Sequence, residues 1–248
     1  MYLKRYQLLK SRKAKDWWTA TFGDPVSWII LAAIADWKFI TPNLLTFLTF
    51  LTKVIASILI AFGDKGIAIY GAILLQLGVL FDHMDGNLAR YRGISTLKGG
   101  FMDRILDGTA VLILFSALSW NVYQNGYSAY FLLMGPAAAS FYLITCYIYW
   151  SYAFDEYKLL GKSKKVHPGA ENLEDKKIST FNYILRGQIK IFKFNHIDYY
   201  FWISISIFID RVTWVIWLLF LVIGLRMISR FQMRMKHLSK LDERKNLI

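Results

Sequence analysis

Apolar runs long enough to cross a bilayer constrain this chain more than any other feature. Crossing a hydrocarbon core about 30 Å thick takes roughly 20 apolar residues in helical form. Runs near 43–63, 66–90, 101–123, 128–153, 197–210 and 212–230 approach or meet that length. Lipid offers no partner for a bare N–H or C=O, so such runs fold as helices. The expected fold class is all-α: a polytopic membrane protein with six transmembrane helices. Composition agrees, since 56% of the 248 residues are hydrophobic, 17% are aromatic and only four are proline, unlike a soluble domain of this size.

The last two runs are separated only by Asp210-Arg211, so a single tilted helix from Asp198 to Leu225 is the alternative. Charge favours two helices. Lys4, Arg5, Lys10, Arg12, Lys13 and Lys15 precede the spans, and Arg226, Arg230, Arg234, Lys236, Lys240, Arg244 and Lys245 follow them. Basic flanks mark the cytoplasmic side, and two cytoplasmic ends require an even number of crossings. The same rule places the hairpin 91–100 and the linker 154–194, with Lys162, Lys164, Lys165, Lys176 and Lys177, in the cytoplasm, because Ser119 to Ser128 contains no Lys or Arg.

Residues 23–40 are apolar, carry Trp28 and Trp37, and are broken by Asp36 and Lys38. They are too short to cross and are expected as an interfacial amphipathic helix on the cytoplasmic surface. The chain thus divides into a basic arm with its interfacial helix over 1–40, a six-helix catalytic domain over 41–231 and a basic tail over 232–248. No cleaved secretory signal is expected at the start. The net charge of +13 flanks apolar spans and forms no single soluble patch, which argues against nucleic acid and for anionic lipid headgroups.

Inside this apolar sequence, residues 82–107 read D-H-M-D-G-N-L-A-R-Y-R-G-I-S-T-L-K-G-G-F-M-D-R-I-L-D. On a helix, Asp82, Asp85, Gly86 and Ala89 form one stripe, and Gly99, Asp103 and Asp107 form a second. Carboxylates beside residues with almost no side chain let a bulky ligand approach the backbone. Four acids this close repel one another unless a cation compensates. All-oxygen ligands select a hard divalent ion, Mg2+, Mn2+ or Ca2+, over zinc, and Arg90 beside them suits a phosphate or diphosphate. Cys146 is the single cysteine and is read as a packing residue. His83, His167, His196 and His237 are scattered and none is read as a ligand.

The segment resembles, with every gap correct, the signature of the CDP-alcohol phosphotransferases (CDP-alcohol phosphatidyltransferases), D-x2-D-G-x2-A-R-x8-G-x3-D-x3-D. The residues that carry it are Asp82, Asp85, Gly86, Ala89, Arg90, Gly99, Asp103 and Asp107. Thr41-Pro-Asn-Leu-Leu-Thr46 resembles the opening of that family's first membrane helix, which gives Asn43 a substrate-facing role.

The resemblance implies transfer of a substituted phosphate from a CDP-linked donor to an alcohol acceptor, with release of CMP, in phospholipid synthesis. It implies Mg2+ or Mn2+, as two ions, on Asp82, Asp85, Asp103 and Asp107, with Asp107 as general base. The CDP moiety would lie against Gly86, Ala89 and Gly99, with Arg90 on its phosphates. It also implies a homodimer, for which Gly135, Ala137, Ala138, Ala139 and Ser140 would permit close helix approach.

The donor stays open between CDP-diacylglycerol with a polar acceptor, the favoured reading, and a soluble CDP-alcohol with a lipid or polyol acceptor. An anionic acceptor would draw on Lys98, Arg104, Arg186, Lys190 and Lys193. Asp103-Arg104 is similar to inositol-phosphate-using and archaeal-type members, whereas Asp24-Pro-Val-Ser27 is similar to longer-armed ones. A membrane prenyltransferase normally separates its two aspartate clusters widely, and a non-catalytic relative would be expected to have lost a signature residue. This chain does neither.

Overall fold

A computed structural model describes residues 2–10, 16–160 and 179–245. Arg12, Lys13, Lys15, His167 and the lysines at 162, 164, 165, 176 and 177 lie outside the described residues. In chain order the α-helices are α1 (Tyr2–Leu9), α2 (Asp24–Ile34), α3 (Pro42–Phe62), α4 (Lys65–Arg92), α5 (Leu97–Gln124), α6 (Phe131–Leu160), α7 (Thr180–Gln188), α8 (His196–Phe208) and α9 (Val212–Lys245). A π-helical turn over Thr19–Gly23 leads into α2, and a 3-10 turn over Ile191–Lys193 precedes α8.

Local chemistry sets the boundaries. Thr41 caps α3 by accepting from the Leu44 N–H, with Pro42 at the first helical position, where its missing donor costs nothing. Asp64 caps α4 and Thr96 caps α5 in the same way. Gly93 ends α4 in the left-handed conformation, φ 65°, which a side chain would strain.

Five of the described helices, α3, α4, α5, α6 and α9, are long and apolar enough to cross a membrane. The remaining expected span, 197–210, is α8, with 13 residues. These rise only about 20 Å, short of a hydrocarbon core. Polar residues at both ends limit it. Asn195 and Asp198 form a capping box at its start, and Asp210 turns the chain at φ 58° after its end. Asp198 to Leu225 is therefore two helices.

The Lys65–Asp210 ion pair, 3.1 Å, sets the α8–α9 turn beside the start of α4. Gln76 then donates to the Tyr200 carbonyl (2.9 Å) and the Ser204 hydroxyl (2.8 Å), so α8 runs antiparallel to α4.

Helices in lipid associate by close packing, because lipid tails are as apolar as the side chains. α3 packs against both α4 and α5. A Cβ at Gly71 would stand 2.9 Å from the Ala56 carbonyl oxygen, and one at Gly78 would stand 2.8 Å from Thr52 Oγ1, so two glycines a heptad apart seat α4 on α3. On α6, Gly135 donates its N–H to Ser119 Oγ at 3.0 Å, and Ala138 and Ala139 are fully buried. Three of the five small residues expected to serve a dimer contact thus pack within the chain, while Ser140 is exposed.

The arm is more deeply integrated than a surface helix. Trp28, Leu31 and Ala32 of α2 are fully buried with Leu80, Met84 and Leu88 of α4. Trp18 donates to Gln76 through its indole N–H (2.8 Å) and to Asp198 through its backbone N–H (2.9 Å). Trp17 donates to Gln188 of α7 at 2.7 Å. Arg92, the last residue of α4, donates to the carbonyls of Ala35, Trp37 and Ile40 and so holds the connector between α2 and α3.

Gly135 tests the packing argument. A Cβ there would fall 2.2 Å from both the Phe115 carbonyl oxygen and Ser119 Oγ, and backbone cannot yield as a side-chain tip can. Gly135→Ala is expected to cost about 1–3 kcal/mol. Gly100→Ala, whose Cβ would meet only the tip of the Arg104 side chain at 3.4 Å, should leave the unfolding midpoint in micelles unchanged.

Candidate active site

Residues 82–107 fold as the last turns of α4, a short turn and the first turns of α5. Asp82 of α4 and Asp103 and Asp107 of α5 each offer a carboxylate oxygen, and these three atoms lie within 4.8 Å of one another. Three hard anionic oxygens that close, with no His or Cys in the group, suit a divalent cation with oxygen preference.

Asp85 lies outside that group of three. It is 8% exposed and accepts a 2.5 Å hydrogen bond from Thr46 Oγ1; Thr46 also reaches back to the Pro42 carbonyl at 3.1 Å. The fourth expected ligand is thus anchored through one carboxylate oxygen, Oδ2, to the second turn of α3.

The compensating charge in the chain itself is Lys53. It is 1% exposed, and its Nζ lies 2.8 Å from Asp107 Oδ1 and 4.8 Å over the Tyr200 ring. Gly78 makes room for it, since a Cβ there would stand 3.2 Å from Lys53 Cγ. Sequence reasoning missed this residue although a signal was present. Lys53 is the single charged residue of α3, and an ionisable group inside a membrane helix marks function. Beyond Lys53 the wall is aromatic. The Tyr200 hydroxyl meets His196 Nε2 at 3.3 Å, and His196 stacks on Tyr142 with ring centres 4.8 Å apart.

Gly86 and Arg90 face each other. A Cβ at Gly86 would lie 3.3 Å from Arg90 Nη1, so the guanidinium folds back over the glycine where a side chain would otherwise stand. Arg90 also donates to Asn87 Oδ1 at 2.7 Å. Ala89 is half-buried, and its carbonyl accepts from Ile94 at the end of α4. Gly99 lies against Asn43: a Cβ there would be 3.2 Å from Asn43 Oδ1, so the first turns of α3 and α5 meet at these two residues.

The expected acceptor cations are dispersed. Lys98 is exposed in the first turn of α5, and Arg104 stacks on Trp150 at 4.8 Å. Arg186 is exposed on α7, Lys190 follows that helix with its N–H on the Gly187 carbonyl, and the Lys193 carbonyl accepts from Arg226.

The family model for CDP-alcohol phosphatidyltransferases matches residues 39–209. This chain belongs to the CDP-alcohol phosphatidyltransferase family. Among curated proteins it is 34% identical, over 82 residues, to a "Bifunctional IPC transferase and DIPP synthase" of Aquifex aeolicus (strain VF5). That match covers 33% of this chain and only 18% of the relative. The family uses divalent metal ions, a use that the three converging oxygens fit.

Lys53→Met removes the ammonium and leaves Asp107 in a poorly hydrated place beside two more carboxylates. In EDTA this should lower the unfolding free energy by about 1–3 kcal/mol. Lys53→Met/Asp107→Asn should recover most of that stability, as thermal unfolding in micelles would show.

Proposed function

We propose that this chain transfers a substituted phosphate from a CDP-linked donor to an alcohol hydroxyl, releasing CMP, in membrane-lipid synthesis. The convergence of Asp82, Asp103 and Asp107 carries this reading. It is supported by family membership over most of the chain. Mg2+ or Mn2+, as two ions, would be held by these three aspartates together with Asp85, and supplies Lewis-acid polarisation and neutralises the charge of the diphosphate.

The chain's own groups do the rest. The acceptor oxygen forms a new bond to the β-phosphorus as the bond from that phosphorus to the oxygen of departing CMP breaks. Asp107 takes the hydroxyl proton. Lys53 holds Oδ1 of Asp107, leaving Oδ2 for that proton. Arg90, backed by Gly86, steadies the phosphate oxygens as charge develops, and the cytidine lies toward Ala89, Gly99 and Asn43.

The favoured donor is CDP-diacylglycerol, with a polar acceptor. A lipid donor is supported by the setting of the cluster, since α4 and α5, which carry the aspartates, are both long and apolar enough to cross a membrane. The alternative is a soluble CDP-alcohol donor with a lipid or polyol acceptor. An anionic acceptor would engage Lys98 and Arg104, with Arg186 and Lys190 further off.

We place the site and both termini in the cytoplasm, with α8 completing a sixth, short crossing. This is supported by the basic residues flanking α3, α6 and α9 and by the antiparallel course of α8 along α4.

Purified protein in lipid micelles with Mg2+ should release CMP from CDP-diacylglycerol when the right polar acceptor is present. CMP release from a soluble CDP-alcohol alone would reverse the roles of lipid and polar partner, and none from any donor would overturn the reading. Asp103→Asn and Asp107→Asn should each lower turnover by at least about 1,000-fold while the protein stays folded. EDTA should abolish activity, with recovery on adding Mg2+ or Mn2+.

A further inference from the structure

The arm preceding residue 39 lies outside the family match, yet its polar residues reach into the motif. Asp24 is 5% exposed and Ser27 fully buried. Asn87, in the motif between Gly86 and Ala89, is 2% exposed. Its Nδ2 donates to Ser27 Oγ at 2.7 Å and to Asp24 Oδ1 at 3.2 Å, and its Oδ1 accepts from Arg90 Nη2 at 2.7 Å. The amide cannot be turned the other way. Carboxylate oxygens only accept and guanidinium nitrogens only donate, so an amide held between Asp24 and Arg90 has one satisfied orientation.

Asp24 is held in turn. The Tyr183 hydroxyl of α7, itself 3% exposed, donates to Asp24 Oδ2, and Ser27 Oγ donates to the Asp24 carbonyl at 2.9 Å. His83 Nδ1 stands 3.8 Å from Asp24 Oδ1. The result is a buried relay from α7 through α2 to α4, ending on the exposed arginine of the eight signature residues, Arg90.

A guanidinium at the end of a flexible stem loses rotamer freedom on binding an anion, and a fixed partner removes part of that cost in advance. Arg90 has two such restraints, Gly86 beneath it and Asn87 beside it.

We infer that Asp24 and Ser27 of the arm are positioning residues for Arg90, acting through the Asn87 side chain to aim the guanidinium at the diphosphate of the donor. This rests on the function proposed above. The arm, which apolar patterning presents as a surface helix, is then part of the active site.

A double-mutant cycle tests it, with two readouts on the full-length protein in lipid micelles: CMP release, and binding of CDP by calorimetry with Mg2+. Arg90→Ala should slow turnover by at least about 100-fold and weaken CDP by about tenfold. Asp24→Ala alone should slow turnover by about tenfold and weaken CDP severalfold. In the Arg90→Ala background, Asp24→Ala should cost less than about twofold in either readout, because the group it positions is gone.

Equal losses with and without Arg90 would make Asp24 a merely structural residue and overturn the inference, as would a folded Asp24→Ala protein with wild-type values. Ser27→Ala, which deletes one oxygen, runs the same cycle should Asp24→Ala fail to fold. Wild-type protein that binds CDP but releases no CMP would sink the proposed reaction while leaving the cycle readable in binding. Wild-type protein that binds no CDP leaves Arg90 nothing to hold and overturns the inference as well.

Discussion

A buried lysine ammonium on α3 is the constraint on which this site depends. Asp82, Asp103 and Asp107 come from two helices, and bringing three carboxylates together in poorly hydrated surroundings is opposed by their mutual repulsion and by desolvation. Lys53 offsets part of that cost from the third helix, paired with Asp107 at 2.8 Å. α3 packs on both α4 and α5, so the same helix that supplies the charge also sets the two motif halves at their separation. Gly78 is what lets it come close enough, since any side chain there would collide with Thr52 and crowd Lys53.

Around that pair, polar groups are used where lipid cannot serve. Gln76 satisfies the indole of Trp18, the Tyr200 carbonyl and Ser204. Asp198 caps its own helix and accepts from the arm. A hydrogen bond in an apolar medium costs much more to leave unmade than it contributes when made, so these contacts act chiefly by excluding other arrangements. They explain how a helix of 13 residues and an arm expected at the surface become parts of one bundle.

Much of the site was legible because its chemistry is local. Asp103 and Asp107 lie one turn apart on α5, and Gly86 and Arg90 lie one turn apart on α4, so helical spacing alone groups each pair. Gly93 and the Thr96 cap are equally readable as the break between the two halves. For Asp85 the spacing gives the stripe it shares with Asp82 but not its partner, Thr46 of another helix. Arg104 likewise has the expected charge and lies over Trp150 of α6, a partner that no local pattern names. The ends of α8 are set by a capping box on one side and a left-handed aspartate on the other, neither of which hydropathy registers.

By itself, the sequence determined the helical class, the membrane setting, the family and the identity of the acidic motif, because each follows from composition and from spacings within one turn or one short loop. Tertiary structure alone decided which three aspartates converge, that Lys53 compensates them and that Asp24 of the arm reaches Arg90 through Asn87. Those contacts join residues tens of positions apart, and their distances depend on how closely helices approach. Buried glycines set that approach, and nothing in the spacing of one strand of sequence records which neighbour each of them will meet.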